Sequence, residues 1–184
     1  MGYLILCMPR KLLNSELGRL SPQACRQAPK LPVVLVLDNI RSQHNIGAAF
    51  RTADAFCIER IILCGISAVP PSAEIHKSAL GAEETVPWSY GSDAMEAVRQ
   101  LHDDGYAVWS IEQVEGAYSL DRFLPRKEVK YALIFGNEVR GVQQEVVDMS
   151  NGCIEIPQFG AKHSLNVSVS IGVVLWDFLV KLRR

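Results

Sequence analysis

Apolar and polar positions along the chain change between two periods, which predicts strands and helices in alternation. Val33–Leu37 is a continuous, β-branched run closed by Asp38, typical of a strand covered on both faces. A polar loop, Asn39–Asn45, precedes a run with helical spacing that continues through Phe56. The same criteria predict a strand at Arg60–Cys64, a helix at Ala73–Gly81, an extended piece at Thr85–Trp88, a helix at Ser92–Asp104, strands at Tyr106–Ile111 and Tyr131–Phe135, a helix near Val142–Met149, a strand at Cys153–Ile156 and a closing helix at Leu165–Leu182. This order predicts an α/β domain with a Rossmann-like parallel sheet and helices on both faces.

The length of 184 residues and the hydrophobic content of 48% suit one domain with a full core. We expect this domain to span 31–184 and to follow an arm and linker at 1–30. Four leucines at helical spacing predict a helix at Lys11–Leu20, and Pro22, Pro29 and Pro32 interrupt the chain after it.

The charge is distributed unevenly. The net charge is −1, but residues 1–30 carry five basic side chains against Glu16 alone, a local balance of +4 that leaves −5 for the rest. This arm is compatible with backbone-phosphate contacts to a nucleic acid and equally with a solvated surface helix.

Several classes of protein are disfavoured. The apolar run within Met1–Met8 is too short for a signal peptide or a membrane span, and polar residues interrupt the closing apolar stretch, so we expect a cytoplasmic protein without a membrane partner. The five cysteines form no Cys-x-x-Cys pair and the four histidines show no metal-ligand spacing, so we expect neither a disulfide nor a metal.

Ligands of an open parallel sheet bind beyond the carboxyl ends of its strands, so the residues after each strand are informative. Three such segments are rich in polar residues and glycine: Asn39–Thr52, Ile134–Gly141 and Ile154–Ser168. None contains the Gly-x-Gly-x-x-Gly or Gly-x-x-x-x-Gly-Lys-[Ser/Thr] phosphate cradle. A nucleotide-like cofactor would therefore be held without a pyrophosphate grip.

Read together, these segments contain Asn-x-Gly-x-x-x-Arg-Thr from Asn45, Gly-x-Glu-x-x-Gly from Gly136, and Ile156-Pro157 followed by Ser-Leu-Asn-Val-Ser from Ser164. In this order and spacing they resemble the SpoU/TrmH-type RNA 2′-O-ribose methyltransferases of the SPOUT superfamily, over about residues 33–180. The stretch His76–Ala82 is also similar to that family.

The resemblance implies properties that periodicity does not reveal. It implies a C-terminal trefoil knot, a pocket for S-adenosylmethionine formed by the loops 136–141 and 157–164, and S-adenosylhomocysteine as product. It also implies an obligate homodimer whose active site joins both subunits. The small residues and the apolar area of the last helix lead us to expect that this dimer forms through the last helix and the helix that carries Arg51. The substrate would be RNA, with tRNA favoured over rRNA.

The resemblance assigns catalytic roles to Arg51, Asn45, Glu138, Ser164 and Asn166. Arg51 would stabilise the developing alkoxide rather than act as a base, since a free guanidinium has a pKa above about 12; a surface arginine is the alternative. Glu138 would hold Arg51, or else accept a hydrogen bond from an unpaired amide. Asn45, Ser164 and Asn166 would lie beside the target nucleotide, or else cap helices.

The implied cofactor site has two kinds of residues: glycines that admit close backbone approach, and apolar or polar residues that surround the adenosyl group. It comprises Ile111, Phe135, Gly136, Asn137, Gly141, Ile156, Pro157, Ser164, Leu165 and Asn166. A catalytically silent RNA-binding module of the same fold is the alternative to an enzyme. An unrelated small-molecule α/β enzyme is a third hypothesis, which the absent phosphate cradle disfavours.

Overall fold

A computed structural model describes residues 10–183, which form seven strands packed between helices. The strands are β1 (Leu31–Asp38), β2 (Ile58–Cys64), β3 (Trp88–Gly91), β4 (Tyr106–Ile111), β5 (Tyr118–Ser119), β6 (Lys130–Phe135) and β7 (Gly152–Glu155). The helices are α1 (Pro22–Gln27), α2 (Gln43–Phe56), α3 (Ala73–Ala79), α4 (Ala94–Asp103), α5 (Gln144–Met149) and α6 (Val167–Arg183), with 3-10 turns at Asn14–Glu16 and Ala82–Glu84.

The strands form one sheet in the order β3-β2-β1-β6-β4-β7-β5, and every neighbouring pair is parallel. The carboxyl ends of β4, β6 and β7 therefore lie together at one edge. The predicted α/β class with a parallel sheet is confirmed.

Strand β1 shows why the chain needs helices on both faces of the sheet. Its alternate residues Val33, Leu35 and Leu37 pack into a core with α2, α3 and α6. Val34 and Val36 pack on the opposite side with α4 and α5. All five side chains are completely buried, which explains why the strand has no polar alternation.

Helices α2 and α3 approach closely at Gly47. A Cβ atom built there would lie 2.1 Å from Ser78 Oγ and 2.4 Å from the carbonyl oxygen of Ile75. Ser78 Oγ donates to the carbonyl of His44 at 3.1 Å, which ties the two helices together. The motif glycine at 47 thus allows helix packing.

The predicted helix at Lys11–Leu20 is wrong. The structure has only the 3-10 turn Asn14–Glu16, and the helix of this region is α1, which Ser21 caps and Pro22 begins. Gly18 adopts a left-handed φ of +59°, and the four leucines of the segment are exposed. The apolar stripe therefore has no surface to stabilise a helix in this chain.

Two further elements differ from the sequence prediction, and three predictions about the fold are untested. The extended piece at Thr85–Trp88 is wrong: Thr85 ends the second 3-10 turn, and β3 begins at Trp88, where it pairs with Ile61. The short strand β5 was not predicted. The run at Met1–Met8 lies outside the described residues, and the trefoil knot and the division at residue 31 remain predictions.

Within residues 10–183 no helix is long and apolar enough to cross a membrane. In that range Cys25, Cys57, Cys64 and Cys153 are free thiols.

We expect Gly47→Ala to lower the free energy of unfolding by about 1–3 kcal/mol, because the added methyl group overpacks the contact between α2 and α3. Urea denaturation measures this change. Gly160→Ala is the matched control, since no atom lies within 4 Å of its built Cβ. Equal stability of both variants would contradict the packing role of Gly47.

Candidate active site

A cavity of about 560 Å³ opens at the carboxyl ends of β4, β6 and β7. Nine of the ten predicted cofactor residues line it, all except Pro157. Pro157 is half-buried between the two lining residues Ile156 and Gln158. The structure thus brings together three segments that are far apart in the sequence.

Two glycines allow the loop after β6 to fold back closely on itself at the floor of this cavity. A Cβ on Gly136 would lie 2.1 Å from the carbonyl carbon of Gly141 and from the nitrogen of Val142. Gly141 has a left-handed φ of +70°, which favours glycine. These positions therefore need glycine for the loop itself.

Asn137 fixes the loop between these glycines. Its backbone forms a two-way bridge with Gly141, at 3.0 and 2.8 Å. Its Oδ1 accepts the amides of Val139 and Arg140, and its Nδ2 donates to the carbonyl of Asn39 at 2.8 Å. All these bonds stay within the protein and give Asn137 a structural role.

Sequence reasoning missed two carboxylates that support this loop. Glu112 follows β4, lines the cavity and accepts the amide of Val142 at 2.9 Å. Asp38, completely buried at the end of β1, accepts hydrogen bonds from Gln143 Nε2 and Asn39 Nδ2. Burial raises the pKa of Asp38 more than these donors lower it. The only sequence signal was that each follows a strand.

Three of the predicted catalytic residues are joined by hydrogen bonds beside the cavity, which Glu138 and Asn166 line and from which Asn45 is buried. Asn166 Nδ2 donates to Asn45 Oδ1 at 3.2 Å, and Asn45 Nδ2 donates to Glu138 Oε1 at 3.0 Å. The carboxylate of Glu138 also accepts the amides of Arg41 and Ser42, each at 3.0 Å. The three residues thereby connect α6, α2 and the loop after β6.

These contacts keep Glu138 ionised. Partial burial raises its pKa, but the amide of Arg41, the side chain of Asn45 and the amide of Ser42 outweigh that effect, so the pKa lies below its usual value. With three donors on the carboxylate, Glu138 is a hydrogen-bond acceptor that holds the start of α2 in place.

The structure decides which of the candidate residues cap the two helices. Asn45 does not cap α2: Ser42 does, accepting the amide of Asn45 at 3.3 Å. Asn166 caps α6 and accepts the amide of Ser168 at 2.9 Å. Ser164 lies two residues before that cap, on the cavity wall.

The predicted contact between Arg51 and Glu138 is absent from residues 10–183, where the donors to the Glu138 carboxylate are the amides of Arg41 and Ser42 and the side chain of Asn45. Arg51 lies on the exposed face of α2, with His44, Ala48 and Ala55 at helical spacing. In the described part of the chain it forms no ion pair.

Helices α2 and α6 lie side by side and parallel. Asn45 contacts Asn166 near their starts, and the rings of Phe56 and Trp176 lie 5.9 Å apart further along. Val169, Val173 and Trp176 form an exposed apolar stripe on α6. Arg51 therefore belongs to a two-helix surface with unburied apolar side chains.

No group of three or more His, Cys, Asp or Glu side chains in residues 10–183 is arranged to hold a metal ion.

The domain is therefore an α/β domain with a parallel sheet. Its cavity lies at the carboxyl ends of the strands, and its sequence contains no phosphate cradle. The chain belongs to the SpoU rRNA Methylase family, whose family model matches residues 32–176. The 23S rRNA (guanosine-2′-O-)-methyltransferase RlmB of Vibrio vulnificus is 32% identical over 146 residues, which are 79% of this chain and 58% of that protein. The chain thus spans less than two thirds of that relative's length.

Two solved structures are similar to this chain. The AdoMet-bound rRNA methyltransferase of Sinorhizobium meliloti has a TM-score of 0.74 and 26% identity, over 87% of this chain and 60% of the other. A protein described for "the 2-OH methylation of C/U34 on tRNA" has a TM-score of 0.72 and 27% identity, over 83% of this chain and 99% of the other.

We expect Glu138→Gln to destabilise the fold by about 1 kcal/mol at neutral pH, a low value for a charged hydrogen-bond acceptor because the side chain is exposed. Because the folded pKa lies below the unfolded one, the ionised form contributes fully above about pH 4.3. Its contribution is lost as the pH falls through the folded pKa.

Urea unfolding of wild type and variant across acidic and neutral pH measures this difference. Glu115→Gln, at an exposed site on the loop after β4, is the matched control. A difference that stayed constant down to the lowest pH would contradict the role of the carboxylate.

Proposed function

We propose that the protein transfers the methyl group of S-adenosylmethionine to the ribose 2′-hydroxyl of an RNA nucleotide. The observation that carries this proposal is the connected set of Glu138 and Asn166, which line the cavity, and Asn45, which is buried between them. All three belong to the motifs that the family shares, and the relatives reported above are RNA methyltransferases.

The cavity fits an adenosyl ligand. Its volume of about 560 Å³ lies within the usual range for small-molecule sites. Ile111, Ile156 and Leu165 provide apolar walls, and the tightly folded loop from Gly136 to Gly141 presents backbone along the floor. S-adenosylmethionine supplies an electrophilic methyl group and leaves as S-adenosylhomocysteine.

The residues of this chain contribute position and charge. The hydrogen bonds from Glu138 through the buried Asn45 to Asn166 fix the amide side chain of Asn166 at the cavity, where a ribose would enter. Glu138 has a lowered pKa and three donors, so it is a positioning residue and the hydroxyl proton leaves by another route.

A homodimer through α2 and α6 would complete this site. The apolar stripe Val169, Val173 and Trp176 gives these helices area to bury, and Arg51 lies on the same exposed surface. Since Arg51 does not reach Glu138 of its own chain, we infer that it acts at the cavity of the partner subunit and stabilises the alkoxide there.

Two observations bear on the class of RNA that the protein methylates. The RlmB relatives are named for 23S rRNA and weaken the tRNA preference inferred from the sequence. The structural neighbour that this chain covers almost completely is described for tRNA. Mapping of 2′-O-methyl sites in total RNA with and without the gene separates the two classes.

The basic arm and the cytoplasmic location remain predictions. Arg10 is paired with Glu16, so fewer charges of the arm are available to RNA than the sequence suggested. Lys11 and Arg19 are exposed and suit contacts to RNA or to a partner subunit.

We expect calorimetric titration with S-adenosylhomocysteine to show saturable binding, and methyl transfer to RNA to produce a 2′-O-methylated ribose. Gly141→Val should abolish the binding, because the side chain would collide with Glu112 and strain a left-handed residue. Binding of cofactor and RNA without methyl transfer would instead support the silent RNA-binding module. Absence of cofactor binding at millimolar ligand would refute the proposal.

We expect Arg51→Ala to reduce turnover on the order of a hundredfold, as loss of one transition-state donor commonly does. Arg51→Lys keeps the charge without the fork geometry and should recover only part of the rate. Cofactor affinity should barely change, because the cavity is formed by the loops after β4, β6 and β7 and by the start of α6.

A mixture of Arg51→Ala and Asn166→Ala subunits tests whether the site is shared. Each variant alone is expected to be nearly inactive. A mixed dimer has one site with an intact Asn166 and an intact Arg51 from the other subunit, so about a quarter of wild-type activity should return after random reassociation. No recovery in dimers shown by light scattering to have exchanged subunits would place Arg51 outside the partner's site.

A further inference from the structure

The loop from Gln158 to His163 forms part of the rim of the cavity. Both end residues line the cavity, while the residues between them project into solvent. Gln113 Nε2 donates to the carbonyl of His163 at 3.0 Å and so ties this end of the loop to the segment after β4. The rim is therefore held in place beside the cofactor cavity.

Phe159 lies in this loop and is 99% exposed, more than Val139 at 78% or Leu124 at 77%. Its phenyl ring contributes nothing to the core of the chain. A single exposed apolar side chain is ordinary on a protein surface. An uncovered aromatic ring at the edge of a binding cavity, however, offers a flat face to whatever enters the site.

Three exposed basic side chains belong to the cavity lining, to the rim loop and to the segment before α2. Arg140 lines the cavity and is exposed, Lys162 is exposed in the same loop as Phe159, and the exposed Arg41 is tied to Glu138 through its backbone amide. None of these three cations forms an ion pair within residues 10–183. A flat aromatic face beside unpaired cations suits a nucleic-acid strand, whose bases stack while its phosphates bind cations.

We propose that Phe159 stacks on a base of an unpaired RNA nucleotide while Arg140 binds a backbone phosphate next to it. The inference rests on the proposed function, because it takes RNA as the substrate. Stacking needs a free base face, which a nucleotide within a duplex does not offer. The substrate is therefore a single-stranded or loop segment of RNA.

A second copy of the chain is a poorer occupant of this rim. The apolar stripe available for self-association lies on α6, and a rim with three unpaired cations would face the same cations across a two-fold axis. A polyanion relieves this repulsion.

Fluorescence anisotropy with a labelled single-stranded RNA oligonucleotide tests the stacking. We expect Phe159→Ala to weaken binding about tenfold, in line with the loss of one base-aromatic stack. Phe159→Trp should retain affinity, and Phe159→Leu should lose it although it keeps an apolar side chain. The same RNA annealed to its complement should bind all four proteins equally.

Leu124→Ala is the matched control, since Leu124 is a similarly exposed apolar residue in the segment before β6, at the opposite edge of the sheet. Arg140→Gln should make the dependence of log affinity on log salt shallower by about one phosphate contact. Phe159→Ala should leave that slope unchanged, because stacking releases no counterion.

Wild-type affinity of Phe159→Ala, or full affinity of Phe159→Leu, would overturn the inference. A loss of S-adenosylhomocysteine affinity equal to the loss for RNA would place the ring on the cofactor, and dissociation of the dimer would place it on the partner; either result also overturns it. Because these assays need no turnover, failure of methyl transfer alone refutes the proposed function and leaves the stacking result standing. Efficient methylation by the wild type, together with wild-type RNA affinity of Phe159→Ala, refutes only the stacking.

Discussion

The carboxylate of Glu138 is the junction on which the arrangement of the site depends. It accepts the amides of Arg41 and Ser42, just before α2, and the side chain of Asn45 within that helix. Through Asn45 it is linked to Asn166, the cap of α6. One ionised group thus sets the positions of two helix starts relative to the loop after β6, and the positive end of α2 stabilises its charge.

The backbone, more than the side chains, builds the cavity. Gly136 and Gly141 let two chain segments come closer than any Cβ would permit, and Asn137 satisfies the amides that the tight loop leaves free. Glu112 and Asp38 support this loop from the neighbouring strand ends. The cavity is thus formed by loops at the strand ends, and none of these segments contains a phosphate cradle.

Two surfaces of the described chain remain uncovered, and they differ in character. The α2 and α6 surface combines the stripe Val169, Val173 and Trp176 with the isolated guanidinium of Arg51. The rim of the cavity combines Phe159 with unpaired cations. The first suits a copy of the same chain and the second suits a polyanion.

The sequence by itself determined five of the seven strands, the parallel α/β class and most of the cavity wall. Buried strands are continuous apolar runs, and the glycines mark places where the backbone must turn or approach closely. Only the tertiary structure decided that Ser42 rather than Asn45 caps α2, that Lys11–Leu20 is not a helix, and that Arg51 lies away from Glu138. These outcomes depend on which acceptor reaches an unpaired amide and whether an apolar face finds a surface to cover it. The cap is a local choice between two polar residues that spacing leaves undecided, whereas the covering of an apolar face and the position of Arg51 relative to Glu138 depend on segments far apart in the chain.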